Sequence, residues 1–162
     1  MQKCLIIFCT LFLVVGCDRN PKFNPKNMQE SIIFMEETFE VESSISDEKD
    51  YQTNELVKLI GLENLGFMVA SSKEEISYIH FYPLNLEQAE DILNKFGFPI
   101  SPELKTNFHL SKNEYERFNF AEDEVFYKYK DYAVQATRDR NDPSLFFLTL
   151  IFNDEYIRRY DK

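Results

Sequence analysis

Residues 67–97 read FMVASSKEEISYIHFYPLNLEQAEDILNKFG, and this stretch decides the fold class. Two apolar runs, Phe67 to Ser71 and Ile76 to Tyr82, flank the polar Ser72, Lys73, Glu74 and Glu75, which is the pattern of a β-hairpin. A helix follows. Asn85 caps it and Gln88 stands three residues on, while Leu86, Ala89, Ile92, Leu93 and Phe96 share one face and Gly97 stops it. Glu87, Glu90 and Asp91 take its wet side. A hairpin running straight into an amphipathic helix predicts strands with helices packed on them.

Strand patterns recur near the C-terminus at Glu124 to Lys130, Tyr132 to Arg138 and Leu145 to Phe152. The last is apolar on both faces, as a central strand is. A terminal helix, Asp154 to Tyr160, places its acids first and Arg158 and Arg159 last, matching the helix dipole. Toward the N-terminus, Met28, Ile32, Met35 and Phe39 fit a helical face that passes into a strand near Thr38. Asn54 to Ile60 reads as a short helix stopped at Gly61, and Ser111 with Glu114 as a capping box for a single turn. The expected fold is α+β, a mostly antiparallel sheet of five or six strands with packed helices.

Residues 1–20, MQKCLIIFCTLFLVVGCDRN, carry a charged start, an apolar run from Leu5 to Val15 and the small Gly16. As a helix at about 1.5 Å per residue that run covers about 16 Å of a hydrocarbon layer roughly 30 Å thick, too little to span it. The pattern is that of a secretory signal. Val14, Val15, Gly16 and Cys17 resemble the lipobox of bacterial lipoproteins, with Val14 where Leu is commonest and Val15 where Ala or Ser is usual. The resemblance implies cleavage before Cys17, a diacylglyceryl group on its sulfur, and a mature protein held on a membrane by two chains, enough for stable anchoring. Asp18 resembles the residue that retains enterobacterial lipoproteins in the inner membrane. The division expected is 1–16 as signal peptide, 17–27 as lipidated cysteine and tether, and 28–162 as one globular domain. The tether, with Pro21 and Pro25 and no periodicity, should reach up to about 33 Å from the anchor.

Of 18 Lys and Arg four precede Met28, and of 28 Asp and Glu only Asp18 does, so the domain holds 14 bases against 27 acids, a balance of −13. Such a surface is unsuited to nucleic acid, which is bound through basic groups that displace counterions. All three cysteines lie at or before Cys17, leaving the domain without disulfide, thiol nucleophile or cysteine metal site. His80 and His109 lack ligand spacing such as HExxH, and no glycine-rich phosphate loop, nucleophile elbow or calcium-loop spacing is present. No catalytic residue, metal ligand or cofactor is therefore nominated.

The run from Glu36 to Glu55 holds eight acids against Lys49. Such a run is either a solvated face that maintains solubility or a docking surface for a basic protein. In the second case Glu36, Glu37, Glu40 and Glu42 are the partner-binding candidates. Tyr78 and Tyr82, or Tyr127 and Tyr129, would then be aromatic anchors unless they belong to the core. The function expected is a lipid-anchored periplasmic binding module on the inner membrane, for instance an immunity protein against an envelope-directed toxin. The alternatives are an accessory lipoprotein of an envelope assembly and, further off, a small wall or lipid hydrolase.

Replacing the sulfur tests the anchor. Cys17→Ser should abolish incorporation of labelled palmitate and leave the protein unprocessed or soluble; normal processing with full membrane retention would refute the lipobox reading.

Overall fold

The computed structural model describes residues 21–50, 54–102, 124–129, 131–142 and 144–159. Helix α1 (Met28–Phe39) leads into strands β1 (Ser43–Lys49), β2 (Leu56–Leu62), β3 (Gly66–Ala70) and β4 (Ile76–Leu84). Helix α2 (Leu86–Phe96) follows, then β5 (Glu124–Tyr129), β6 (Tyr132–Arg138), β7 (Phe146–Ile151) and helix α3 (Asp154–Arg159). The strands form one antiparallel sheet in the order β1-β2-β3-β4-β7-β6-β5. Two meanders are thus joined through β4 and β7. The α+β class is as expected, but the sheet has seven strands where the sequence predicted five or six.

The extra strand is β2, which the sequence pattern made a helix over 54–60. Leu56, Leu59 and Ile60 fit a helical face, and a short apolar run cannot reveal its own period. Pairing decides it: β2 lies between β1 and β3, with Ile60 and Leu62 buried and Leu56 exposed. Gly61 stops nothing; it sits opposite Ser44, whose hydroxyl would lie 2.9 Å from an added Cβ. Likewise α1 runs past Thr38 to Phe39 and turns at Glu40 in the left-handed region, φ 54°, before β1 begins at Ser43.

Alternation along the strands gives the sheet a dry face and a wetter one. On the dry face Ile60, Met68, Ile79, Leu150 and Val134 stand side by side across five strands, all completely buried. Above them lie Ile32 and Met35 of α1 and Ala89, Ile92 and Leu93 of α2. The α2 caps are those the sequence predicted. Asn85 Oδ1 accepts from the Gln88 amide at 3.0 Å and Gln88 Oε1 from the Asn85 amide at 3.0 Å. Gly97 closes the helix at φ 73°. On the opposite face α3 sets Ile157 against Ala133 and Ile151. Close backbone approach fixes Gly66, φ 153°, where an added Cβ would lie 2.0 Å from the His80 carbonyl oxygen.

Residues 21–27, within the expected tether, are docked on the domain. Phe23 packs 5.6 Å from Phe34 and 4.9 Å from Phe96 and Phe152, measured between ring centres. The buried Ser31 hydroxyl donates to the Asn24 carbonyl at 2.7 Å, and the Ile76 amide to the Pro25 carbonyl at 2.7 Å. The Asn24 and Asn27 side-chain amides also donate to Glu30, and Lys26 lies 3.6 Å from Glu75, so one ring and a set of polar contacts stitch this segment to the domain. The capping box expected at Ser111 and Glu114 lies outside the described residues.

A protein beginning at Pro21 should unfold cooperatively, while one beginning at Met28 should be markedly less stable. Phe23→Ala alone should cost about 2 kcal/mol, below the 3–5 kcal/mol typical of a fully buried Phe. Equal denaturation midpoints for the two starting points would show that the docked segment contributes nothing.

Candidate functional site

The acidic run folds onto one edge of the sheet. Glu36 and Glu37 occupy the last turn of α1, Glu40 its cap and Glu42 the link to β1, and Asp47 and Glu48 lie on β1 itself. Among the described residues β1 pairs only with β2, so its other side is a row of backbone donors and acceptors without a strand partner. Every residue of β1 after Ser43 is exposed, including Ile45 at 52%. Carboxylates and a free strand edge thus share one border of the molecule.

Not all of these acids are equally available. Ser43 Oγ donates to Glu36 Oε1 at 2.6 Å, tying the end of α1 to the start of β1, and Lys58 Nζ lies 3.6 Å from Asp47 across the ladder. Glu37, Glu40, Glu42 and Glu48 are solvent-facing. Glu63 was not singled out by the sequence reading, yet its amide donates to the Glu42 carbonyl at 3.1 Å, which brings another exposed acid to the same corner.

The tyrosines do not join this edge as a pair. Both lie on β4, the central strand, three strands away from β1. Tyr78 is half-buried against the Ala133, Ile151 and Ile157 cluster and 6.2 Å from Phe67. Tyr82 is 46% exposed, and its amide donates to the Leu65 carbonyl at 3.0 Å in the turn that also holds Glu63. Of these two, Tyr82 is the one whose backbone joins the turn that bears Glu63. Tyr127 packs on the core and donates to the Pro99 carbonyl at 3.0 Å, with burial pushing its phenol up to about 12. The side chain of Tyr129, and all of Cys17, Asp18 and His109, lie outside the described residues.

His80 stands in a transverse row on the wetter face, between Phe67 and Thr149. Its ring lies 5.1 Å from Phe67 and stacks at 5.7 Å on Phe147, and Nδ1 is 3.0 Å from Thr149 Oγ1. Among the described residues the partner of Nδ1 is a hydroxyl and not the carboxylate that would make an acid–base dyad. Burial holds the imidazole below its ordinary value of 6.5. Among the described residues no group of three or more His, Cys, Asp and Glu could hold a metal ion, and no helix is long and apolar enough to cross a membrane.

Because the folded chain keeps His80 neutral where the unfolded chain takes up a proton, its stabilising contribution is present above about pH 6.5 and is lost as pH falls below that. The thermal midpoint should therefore drop more steeply between about pH 7 and pH 5 in the wild type than in His80→Gln. Parallel curves would mean the two states hold that proton equally.

Compared with known proteins, the chain matches no family model, no curated protein and no solved structure.

Proposed function

We propose that this chain is a lipid-anchored protein-binding module of the bacterial cell envelope. In this reading it is held by Cys17 on the periplasmic face of the inner membrane and sequesters a basic protein, as an immunity protein does a toxin. The observation that supports it best is the acidic edge, where Glu37, Glu40, Glu42 and Glu48 border a strand whose outer side has no strand partner among the described residues. Carboxylates steer a basic partner toward this border, and the β1 backbone offers it hydrogen bonds by strand addition. The same acids discourage pairing with a second acidic copy, since like charges along an edge repel.

The docked segment sets the geometry of display. With residues 21–27 packed on the domain, only Asp18, Arg19 and Asn20 separate a lipidated Cys17 from Pro21, a reach of at most about 13 Å. The domain is then held close to the headgroups, and its β1 edge is offered to proteins that arrive at or through the bilayer.

A partner recovered by cross-linking in the envelope should associate rapidly at low ionic strength and more slowly as salt rises, because screening shortens to about 8 Å near 0.15 M. Reversing Glu37, Glu40, Glu42 and Glu48 to Lys should lower the association rate by an order of magnitude while the thermal melt stays unchanged, since exposed charges add little to stability. Glu36 and Asp47 are left intact because each is already paired. A rate indifferent to both salt and charge reversal would remove the edge as the binding site.

A further inference from the structure

We propose that the apolar pocket between the N-terminal segment and the end of α2 binds a long acyl chain. Its volume is about 470 Å³, within the roughly 300–1,000 Å³ of small-molecule sites. Phe23, Phe34, Phe96, Phe98, Tyr132 and Phe152 line it, so six rings from the N-terminal segment, both helices of the layer and the last strands converge on one space. Phe98 stacks on Tyr132 at 3.6 Å with 16° between planes, and Phe23 braces Phe96 and Phe152. A wall of ring faces offers a ligand apolar contact with few hydrogen-bonding groups, which suits methylene groups and not a sugar, nucleotide or peptide backbone.

The pocket's polar lining narrows the ligand class. Lys22, Asn94, Lys95 and Asp131 contribute. The Lys95 ammonium is engaged, 3.0 Å from Asp91 and 4.8 Å above the Phe39 ring. Lys22 is exposed and is, among the described lining residues, the cation left to meet a head group. In a domain of charge −13, Lys22 gives the pocket a cation to set against the exposed Asp131 carboxylate of the same lining. The ligand is therefore an acyl chain with an anionic or neutral head. It can come from two sources, the surrounding leaflet or the chain's own Cys17, which precedes Lys22 by five residues. The inference goes beyond the protein-binding reading and stands on the pocket whether or not the β1 edge binds a partner.

The test uses the full-length protein in its native membranes, irradiated with a diazirine-bearing palmitate, with cross-linked peptides mapped by mass spectrometry. Labels should concentrate on residues 21–25, 94–98 and Phe152 and fall by an order of magnitude with excess unlabelled palmitate. Asn94→Trp, an exposed position on the pocket lining, should reduce them as far by filling the space while its melt matches wild type. Lys22→Glu should weaken labelling several-fold by repelling the carboxylate. The attachment of the label separates the sources: a probe cross-linked to the pocket as free fatty acid or phospholipid means the leaflet supplies the chain, whereas a probe that joins the pocket peptide to the peptide bearing Cys17 means the protein's own lipid fills the site. Labels scattered over the surface, or pocket labels indifferent to both the competitor and Asn94→Trp, would overturn the proposal. Loss of partner binding in the β1 charge reversal would leave this result untouched.

Discussion

The apolar layer between the sheet and the pair α1 and α2 holds everything else in place. With every cysteine at or before Cys17, the domain has no covalent cross-link to close its loops. Stability must come from burial, and the row of Ile60, Met68, Ile79, Leu150 and Val134 shows how completely it is achieved. A one-residue slip of any strand in that row would carry its apolar side chains to the wetter face and strand polar ones beneath the helices. The layer therefore fixes register, and register in turn puts His80 on the far face. Even residues 21–27 owe their position to it, because Phe23 reaches the layer's aromatic border at Phe34, Phe96 and Phe152.

Much of this was legible in the residues and some was not, for physical reasons. The α2 caps are local chemistry completed within a few residues, so Asn85, Gln88 and Gly97 announced them. β5 and β6 were readable because alternation is local as well, and β7 because a short run apolar on both faces marks a central strand. The strand β2 was misread because its apolar spacing fits either period, and only neighbours brought by the tertiary fold decide between them. Phe23 was passed over for the same kind of reason: a lone aromatic between Pro21 and Pro25 has no periodicity, and its partners lie as far away as Phe152. The acidic run was visible as composition. That it forms an edge could not be seen, because edge position belongs to strand order and not to any strand alone.

Charge serves two physical ends at that edge. A strand exposed along its length templates further pairing, and carboxylates beside it oppose association with another acidic chain. The same field would attract a basic chain, so under the proposed function protection and selection would be one arrangement seen from two partners. The tie between Ser43 and Glu36 keeps the helix end against the start of the strand, and the acidic corner moves as one piece with the sheet. At the other border of the helix layer the lining is mainly aromatic, with Lys22, Asn94, Lys95 and Asp131 as its polar members. The molecule thus keeps two kinds of surface apart, carboxylate-rich along β1 and mainly aromatic beneath residues 21–25.

The seam between the two meanders has a kinetic consequence. Pairing of β4 with β7 brings together His80 and Thr149, 69 residues apart, whereas β1 to β4 and β5 to β7 each pair with neighbours across short connections. Local hairpins close in about 1–10 μs, while ordering a chain over a long separation is entropically costly and slow. The meanders can thus assemble before the seam does, and until it closes β4 and β7 are both bare edges, flanked by Phe81, Leu148 and Leu150 with no acids among them. The chain's exposure to misassociation is greatest during that interval, and the carboxylates of β1 guard an edge that is not the one then at risk.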